Sequence, residues 1–269
     1  MSMIRRPAVA GQFYERTGSA LRKQVGLYVE DVPQKVRAKA IMCPHAGYVC
    51  SGPVAGKVYS RIPNYDTYVI LGPNHSGVGA PAAVFGEGSW SMPMGEVPID
   101  QDLASSIISR SSVARLDEAA HHSEHCLEVQ LPFIQFFNSS FSIVPICLGL
   151  YDFRSADLLG KELADVIRAS GKSVLIVAST DMSHYIPHEV AVKMDHLAID
   201  RVLALDAQGL YDVVMSNNIS MCGVTATVTA LSAANALGAS SAALVSYQTS
   251  GETCSNKAQV VGYAGVIIT

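Results

Sequence analysis

The chain has 269 residues, 49% of them hydrophobic and 16% charged, with a formal net charge of -4. That length and apolar content suit one large α/β domain or two small ones, and the mild charge argues against a nucleic-acid groove. No apolar run approaches the roughly 20 residues of a membrane span, and the basic start lacks the long apolar stretch of a secretory signal.

Taken in order, the segment 7–14 is extended and turn-rich. Ser19 reads as the cap of a helix carrying Leu21, Val25, Tyr28 and Val29 on one face. A buried strand follows at about 39–43, and Gly52-Pro53 opens a helix to Tyr59. The run Tyr68-Val69-Ile70-Leu71 is a core strand ended by Gly72-Pro73. A short strand at 82–85 precedes a loop or hairpin over 86–98 with the only tryptophan, Trp90. A helix begins at Asp100 or Gln101.

The polar cluster 121–128 leads into the aromatic run 131–137, where Pro132 kinks or restarts the helix. Strand 141–148 comes next. Ser155 caps an amphipathic helix that Gly171 stops. A strand at 174–178 and helices at 188–205 and 208–215 follow. The segment from Cys222-Gly223 to Leu237 is apolar or small all round, as a buried helix should be. Strands at 242–247 and 259–268 close the chain. Alternating strand and helix predicts a single α/β domain over 1–269, with a mixed sheet covered by helices on both faces.

The candidate chemistry sits at strand ends. Three apolar strands run into polar loops carrying His45, His75 and His184. In open α/β sheets the ends of the strands are where ligands bind, and imidazole is the commonest metal ligand and the usual general acid or base. Spacing alone does not say which of the three are ligands. Asp181 lies three residues before His184. On a helical turn it would point the same way and fix the tautomer of that ring; otherwise it simply caps. Cys222, at the start of a buried helix, is expected to have a lowered pKa and to act as a ligand or nucleophile, or else to pack. The remaining cysteines are scattered with no C-x-x-C pair, which predicts reduced thiols and a cytoplasmic protein. His121-His122-Ser123-Glu124-His125 matches the inverted zinc-protease pattern H-x-x-E-H, so a zinc-dependent hydrolase is a competing reading. Alternatively Glu124, His125 and Glu128 orient other histidines. There is no P-loop, no G-x-G-x-x-G after a strand and no G-x-S-x-G.

These motifs, in this order, resemble the Memo family. The matching pieces are Ala10-Gly11-Gln12-Phe13-Tyr14, Pro44-His45-Ala46-Gly47-Tyr48, Leu71-Gly72-Pro73-Asn74-His75, Glu124-His125 with Glu128, Leu131 and Pro132, and Val144-Pro145-Ile146 with Gly149. Ser179 to Tyr185, Cys222-Gly223 and Val261-Gly262-Tyr263-Ala264 complete them. The resemblance implies a three-layer α/β/α fold with a mixed, largely parallel sheet, similar to class III extradiol dioxygenases. It implies one metal ion, iron or copper with zinc third, on His45, His75 and Cys222. Asp181 and His184 would be catalytic, and Asn74, Tyr48, His125 and Glu128 would orient ligands or line the pocket. A thiol stands where the dioxygenases use a carboxylate, which shifts preference toward copper or zinc. The implied activity is redox or oxygenase-type on a small molecule. The alternative is a non-enzymatic peptide-binding or copper-handling module. AMMECR1-like and radical-SAM-like proteins are the implied partners.

Overall fold

The computed structural model describes residues 3–269. In chain order the elements are β1 (Ile4–Arg5), α1 (Gly18–Gly26), β2 (Ala40–Cys43), α2 (Tyr48–Ser60), β3 (Thr67–Pro73), β4 (Ala82–Val84), β5 (Ser89–Met92), β6 (Gly95–Pro98) and α3 (Gln101–Arg110). They continue with β7 (Arg115–Leu116), α4 (Leu131–Phe137), β8 (Ser142–Leu148), α5 (Phe153–Ser170), β9 (Val174–Ser179) and β10 (His184–Ile186). The last are α6 (His188–Leu203), α7 (Ala207–Ser216), α8 (Val224–Ala236), β11 (Ala242–Thr249), α9 (Ser250–Thr253) and β12 (Val260–Ile268).

The main sheet runs β10-β12-β2-β9-β3-β8-β4-β7, with β11 also paired to β12. Its centre, β2-β9-β3-β8, is parallel, and the strands outside it bring in antiparallel pairs. Every residue of β2 and β3 is buried, as expected for strands covered on both faces. Strand β12 shows the two covering layers. The α-carbon of Gly265 faces Val54 and Val58 of α2, and that of Gly262 faces Asp195 of α6. Three residues apart on a strand means opposite faces, so α2 and α6 lie on opposite sides. Helix α8 is buried all round because α5 backs it. A side chain at Gly160 of α5 would strike the Thr229 carbonyl, so only glycine permits this approach. A separate three-stranded sheet, β1-β5-β6, contains the hairpin read at 86–98.

Several elements start where tertiary contacts satisfy their ends. Helix α2 begins at Tyr48, ahead of the expected Gly52, because the Tyr48 N–H donates to the Phe13 carbonyl at 2.8 Å. Helix α5 is capped by Asp152, which accepts from Ser155 N, and it ends at Gly171 with φ +65. Helix α1 stops at Gly26, so Tyr28 and Val29 lie beyond it. The cluster at 121–128 is not helical. Two single 3-10 turns, Ala119–His121 and Glu128–Gln130, flank an irregular segment.

The thiol expectation needs correction at one pair. Cys50 of α2 and Cys254, just after α9, form a disulfide across 204 residues of sequence. The absence of a C-x-x-C motif carries no information about partners so distant in the chain. Cys43, Cys126, Cys147 and Cys222 are free. None of the helices is long and apolar enough to cross a membrane among the described residues.

Candidate metal centre

Strands β2, β9 and β3 are parallel neighbours, so the loops after them leave the same edge of the sheet. His45 follows β2, Asp181 follows β9 and His75 follows β3. The segment before α4 brings in His125. Ring nitrogens of His45, His75 and His125 lie within 4.8 Å of one another. The His75 and His125 rings stack at 4.8 Å, and His45 meets both edge-on at 5.3 and 5.6 Å.

The proton on His45 follows from its neighbour. The Ser179 hydroxyl donates its one hydrogen to the Cys126 carbonyl at 2.6 Å and accepts from Gln130 Nε2 at 2.9 Å. It can therefore only accept from His45 Nδ1, 3.0 Å away. His45 thus carries its proton on Nδ1 and a lone pair on Nε2. That nitrogen lies 3.3 Å from Cys222 Sγ and 3.9 Å from Asp181 Oδ2. Burial, with two imidazoles alongside, holds the His45 pKa well below its ordinary value, so the ring is neutral.

Glu124 organises the other two rings. Its Oε1 accepts from His75 Nδ1 at 2.9 Å and from the backbone N–H groups of His125 and Cys126 at 2.8 and 2.9 Å. Its Oε2 accepts the His75 backbone N–H at 2.8 Å. Burial works against this charge, but the His75 ring and the backbone donors outweigh it and hold the carboxyl well below the usual range. The hydrogen bond to Glu124 in turn raises the His75 pKa, whereas burial lowers that of His125. A carboxylate behind an imidazole fixes its tautomer and raises its basicity as a ligand.

Cys222 sits just ahead of the N-cap of α8, beside His45. The expected depression of its pKa is overturned: burial, with Asp181 nearby, pushes the thiol up to about 12. A helix dipole weakens quickly beyond the first turn, and desolvation opposes the thiolate more strongly. Without metal the sulfur is a neutral thiol. Asp181 accepts the His45 backbone N–H at 2.8 Å, and burial pushes its pKa up to about 6.

Asp181 does not orient His184, because 180–183 forms no helical turn. The Ser220 carbonyl accepts from His184 Nδ1 at 2.8 Å instead and leaves Nε2 with the lone pair. His184 stands outside the three-histidine group.

The other expected residues divide. Asn74 spends its side chain on its own loop, accepting from Ser76 and Gly77 and donating to the Val78 carbonyl. Tyr48 is a core residue whose hydroxyl donates to the Val129 carbonyl at 2.6 Å. Glu128 is fully buried against Arg5, Tyr14 and the backbone of Ala8 and Val9.

The H-x-x-E-H reading fails on geometry. His121 points away, its Nε2 donating to the Ala83 carbonyl at 3.0 Å among Phe85 and Trp90. With no helix across 121–125, the two histidines do not share a face. Ser179, Gln130 and Ser220 were not singled out from sequence. A serine hydrogen-bonded to a histidine 134 residues away, or a glutamine bonded to the Pro44 carbonyl 86 residues away, has no local signature.

The Memo-like protein family model matches residues 5–267. The chain belongs to the Memo family. It is 39% identical to a MEMO1 family protein of Methanopyrus kandleri over 98% of this chain and 99% of that one. It is 42% identical to one of Methanosarcina mazei, again over 98% and 99%. Among solved structures this Memo chain superposes on an uncharacterized Escherichia coli K12 protein with a TM-score of 0.57 at 14% identity. That superposition covers 86% of this chain and all of the other, a likeness of fold alone.

Proposed function

We propose that this Memo protein binds one transition-metal ion through His45, His75 and His125, with Cys222 beside His45, and uses it in redox or oxygenase-type chemistry on a small molecule. The convergence of three imidazoles within 4.8 Å carries this reading. The donor set fits the group. On His45 and His75 the Nδ1 proton is already given to an acceptor, Ser179 and Glu124, so a lone pair is left on Nε2. Three imidazoles with an adjacent thiol suit iron or copper, with zinc third. A bound metal would supply Lewis acidity and electron transfer. The chain's own contribution is proton handling. Asp181, with its pKa near 6, and His184 Nε2 stand next to the cluster as groups able to hold and release a proton. The family's likeness to class III extradiol dioxygenases supports an oxygenase, and the same resemblance points to AMMECR1-like and radical-SAM-like proteins as partners.

One observation favours a second reading, copper handling without catalysis. Cys222 puts a soft sulfur 3.3 Å from a histidine nitrogen, a combination that retains Cu(I).

The test is anaerobic titration with Fe(II), Cu(I) and Zn(II), elemental analysis, then oxygen uptake with catechols. One ion per chain is expected, strongly reduced in His45→Ala, His75→Ala and His125→Ala. Wild-type metal content in all three variants would sink the site. Metal without oxygen uptake would favour copper handling.

A further inference from the structure

We infer that Arg5 is a positioning residue for the three-histidine cluster, acting from the N-terminal strand through the backbone of Glu124. The inference rests on the metal-site reading above. Arg5 is 3% exposed. Its Nε donates to the His121 carbonyl at 2.8 Å, and one terminal nitrogen to the Glu124 carbonyl at 2.6 Å. The other terminal nitrogen meets Glu128 Oε2 at 2.7 Å. The guanidinium also lies over the Trp90 ring, 4.0 Å from its centre. The two carbonyls bracket residues 122–123, which follow the 3-10 turn ending at His121 and have no helix ladder of their own to hold them. That segment delivers Glu124, which grips His75, and then His125 itself.

Glu128 anchors the strap that brings Arg5 in. Besides the guanidinium it takes the N–H groups of Ala8 and Val9 at 2.7 and 3.1 Å and the Tyr14 hydroxyl. Residues 5–14 are thereby wound around one buried carboxylate. Phe13 then lies edge-on to the His125 ring at 4.8 Å. A chain of direct contacts therefore runs from Glu128 through Arg5 to Glu124 and on to two of the three rings. Only arginine serves, because three acceptors in different directions need a planar fork of donors. A lysine is a single point of charge. The centre of the cluster is thus held partly from a strand outside the main sheet.

The experiment loads wild type, Arg5→Lys and Tyr14→Phe with Cu(II) alone. It reads the electron paramagnetic resonance spectrum, the affinity against a competing chelator, and the melting temperature. Arg5→Lys should weaken Cu(II) by about 10–100-fold, the effect of losing an outer orienting partner, and shift the hyperfine splitting. Tyr14→Phe, which removes one bond to Glu128 and keeps Arg5, should shift both in the same direction by less. A folded Arg5→Lys protein with the wild-type spectrum and affinity would show that Arg5 is only structural. If Arg5→Lys does not fold, Tyr14→Phe decides: an unchanged spectrum and affinity overturns the inference. Wild-type protein that takes up no copper overturns the metal-site reading and this inference together, whereas wild-type binding with unchanged variants overturns this inference alone.

Discussion

Cys222 Sγ lies 3.3 Å from His45 Nε2, the nitrogen that Ser179 leaves without a proton. The thiol hydrogen can therefore point at an imidazole lone pair, and a metal ion would replace that hydrogen. Burial keeps the sulfur protonated until then.

The thiol chemistry should follow. In metal-free protein Cys222 should alkylate slowly near neutral pH, and its rate should climb about tenfold per pH unit with no plateau below pH 10, since the thiolate is the nucleophile and burial pushes its pKa up to about 12. Cys222→Ser should weaken Cu(I) more than Fe(II), because it removes the soft donor that lies beside His45 Nε2. Mass-spectrometric mapping of alkylation across pH checks the first claim, and a plateau near pH 7 would contradict it.

Glu124→Gln should weaken metal binding by about 10–100-fold with the fold retained. The amide keeps one acceptor oxygen for the backbone donors, but it carries no charge behind His75 and offers donors toward N–H groups. Chelator competition measures the affinity, and a change under twofold would remove Glu124 from the site.

His121 gives a pH prediction of known sign. Burial lowers its pKa to about 4 in the folded protein, against about 6.5 in the unfolded chain. Between those values the unfolded state binds the proton and the folded state does not. The contribution to stability is therefore full above pH 6.5 and lost as pH falls toward 4, about 3 kcal/mol in all. His45 and His125, also lowered, act in the same direction. His121→Phe should flatten this part of the profile while costing stability at pH 7 through the lost bond to Ala83. Urea unfolding at several pH values reads the slope. The same substitution should leave metal content unchanged.

The Cys50–Cys254 bond should be the one redox-sensitive feature among the six cysteines. Cys254 is exposed, and Cys43, Cys126 and Cys147 are buried with raised pKa values. Mild reduction should therefore expose two alkylatable thiols and lower stability by about 2–5 kcal/mol. The melting temperature with and without a dithiol, and the same measurement on Cys50→Ser, check this. A variant as stable as wild type would mean that the bond constrains nothing.

The strand–loop–histidine pattern was legible in the chain itself. Apolar runs ending in Pro44-His45 and Pro73-Asn74-His75 read as core strands each delivering an imidazole at its end, because period and turn chemistry are local properties. The all-apolar α8, the stop at Gly171 and a loop or hairpin over 86–98 were readable for the same reason. What joined His125 to the cluster, separated it from His121, put Ser179 behind His45 and Ser220 behind His184, and paired Cys50 with Cys254 was decided by folding alone. Each is a contact between segments far apart in the chain. The His121–His125 spacing suggested one helical face, but the segment is not helical: its carbonyls at 121 and 124 accept from Arg5, and Glu124 takes the N–H groups of His125 and Cys126. The charge state of Cys222 also lay outside the sequence, since desolvation depends on what closes over the sulfur and not on its neighbours in the chain.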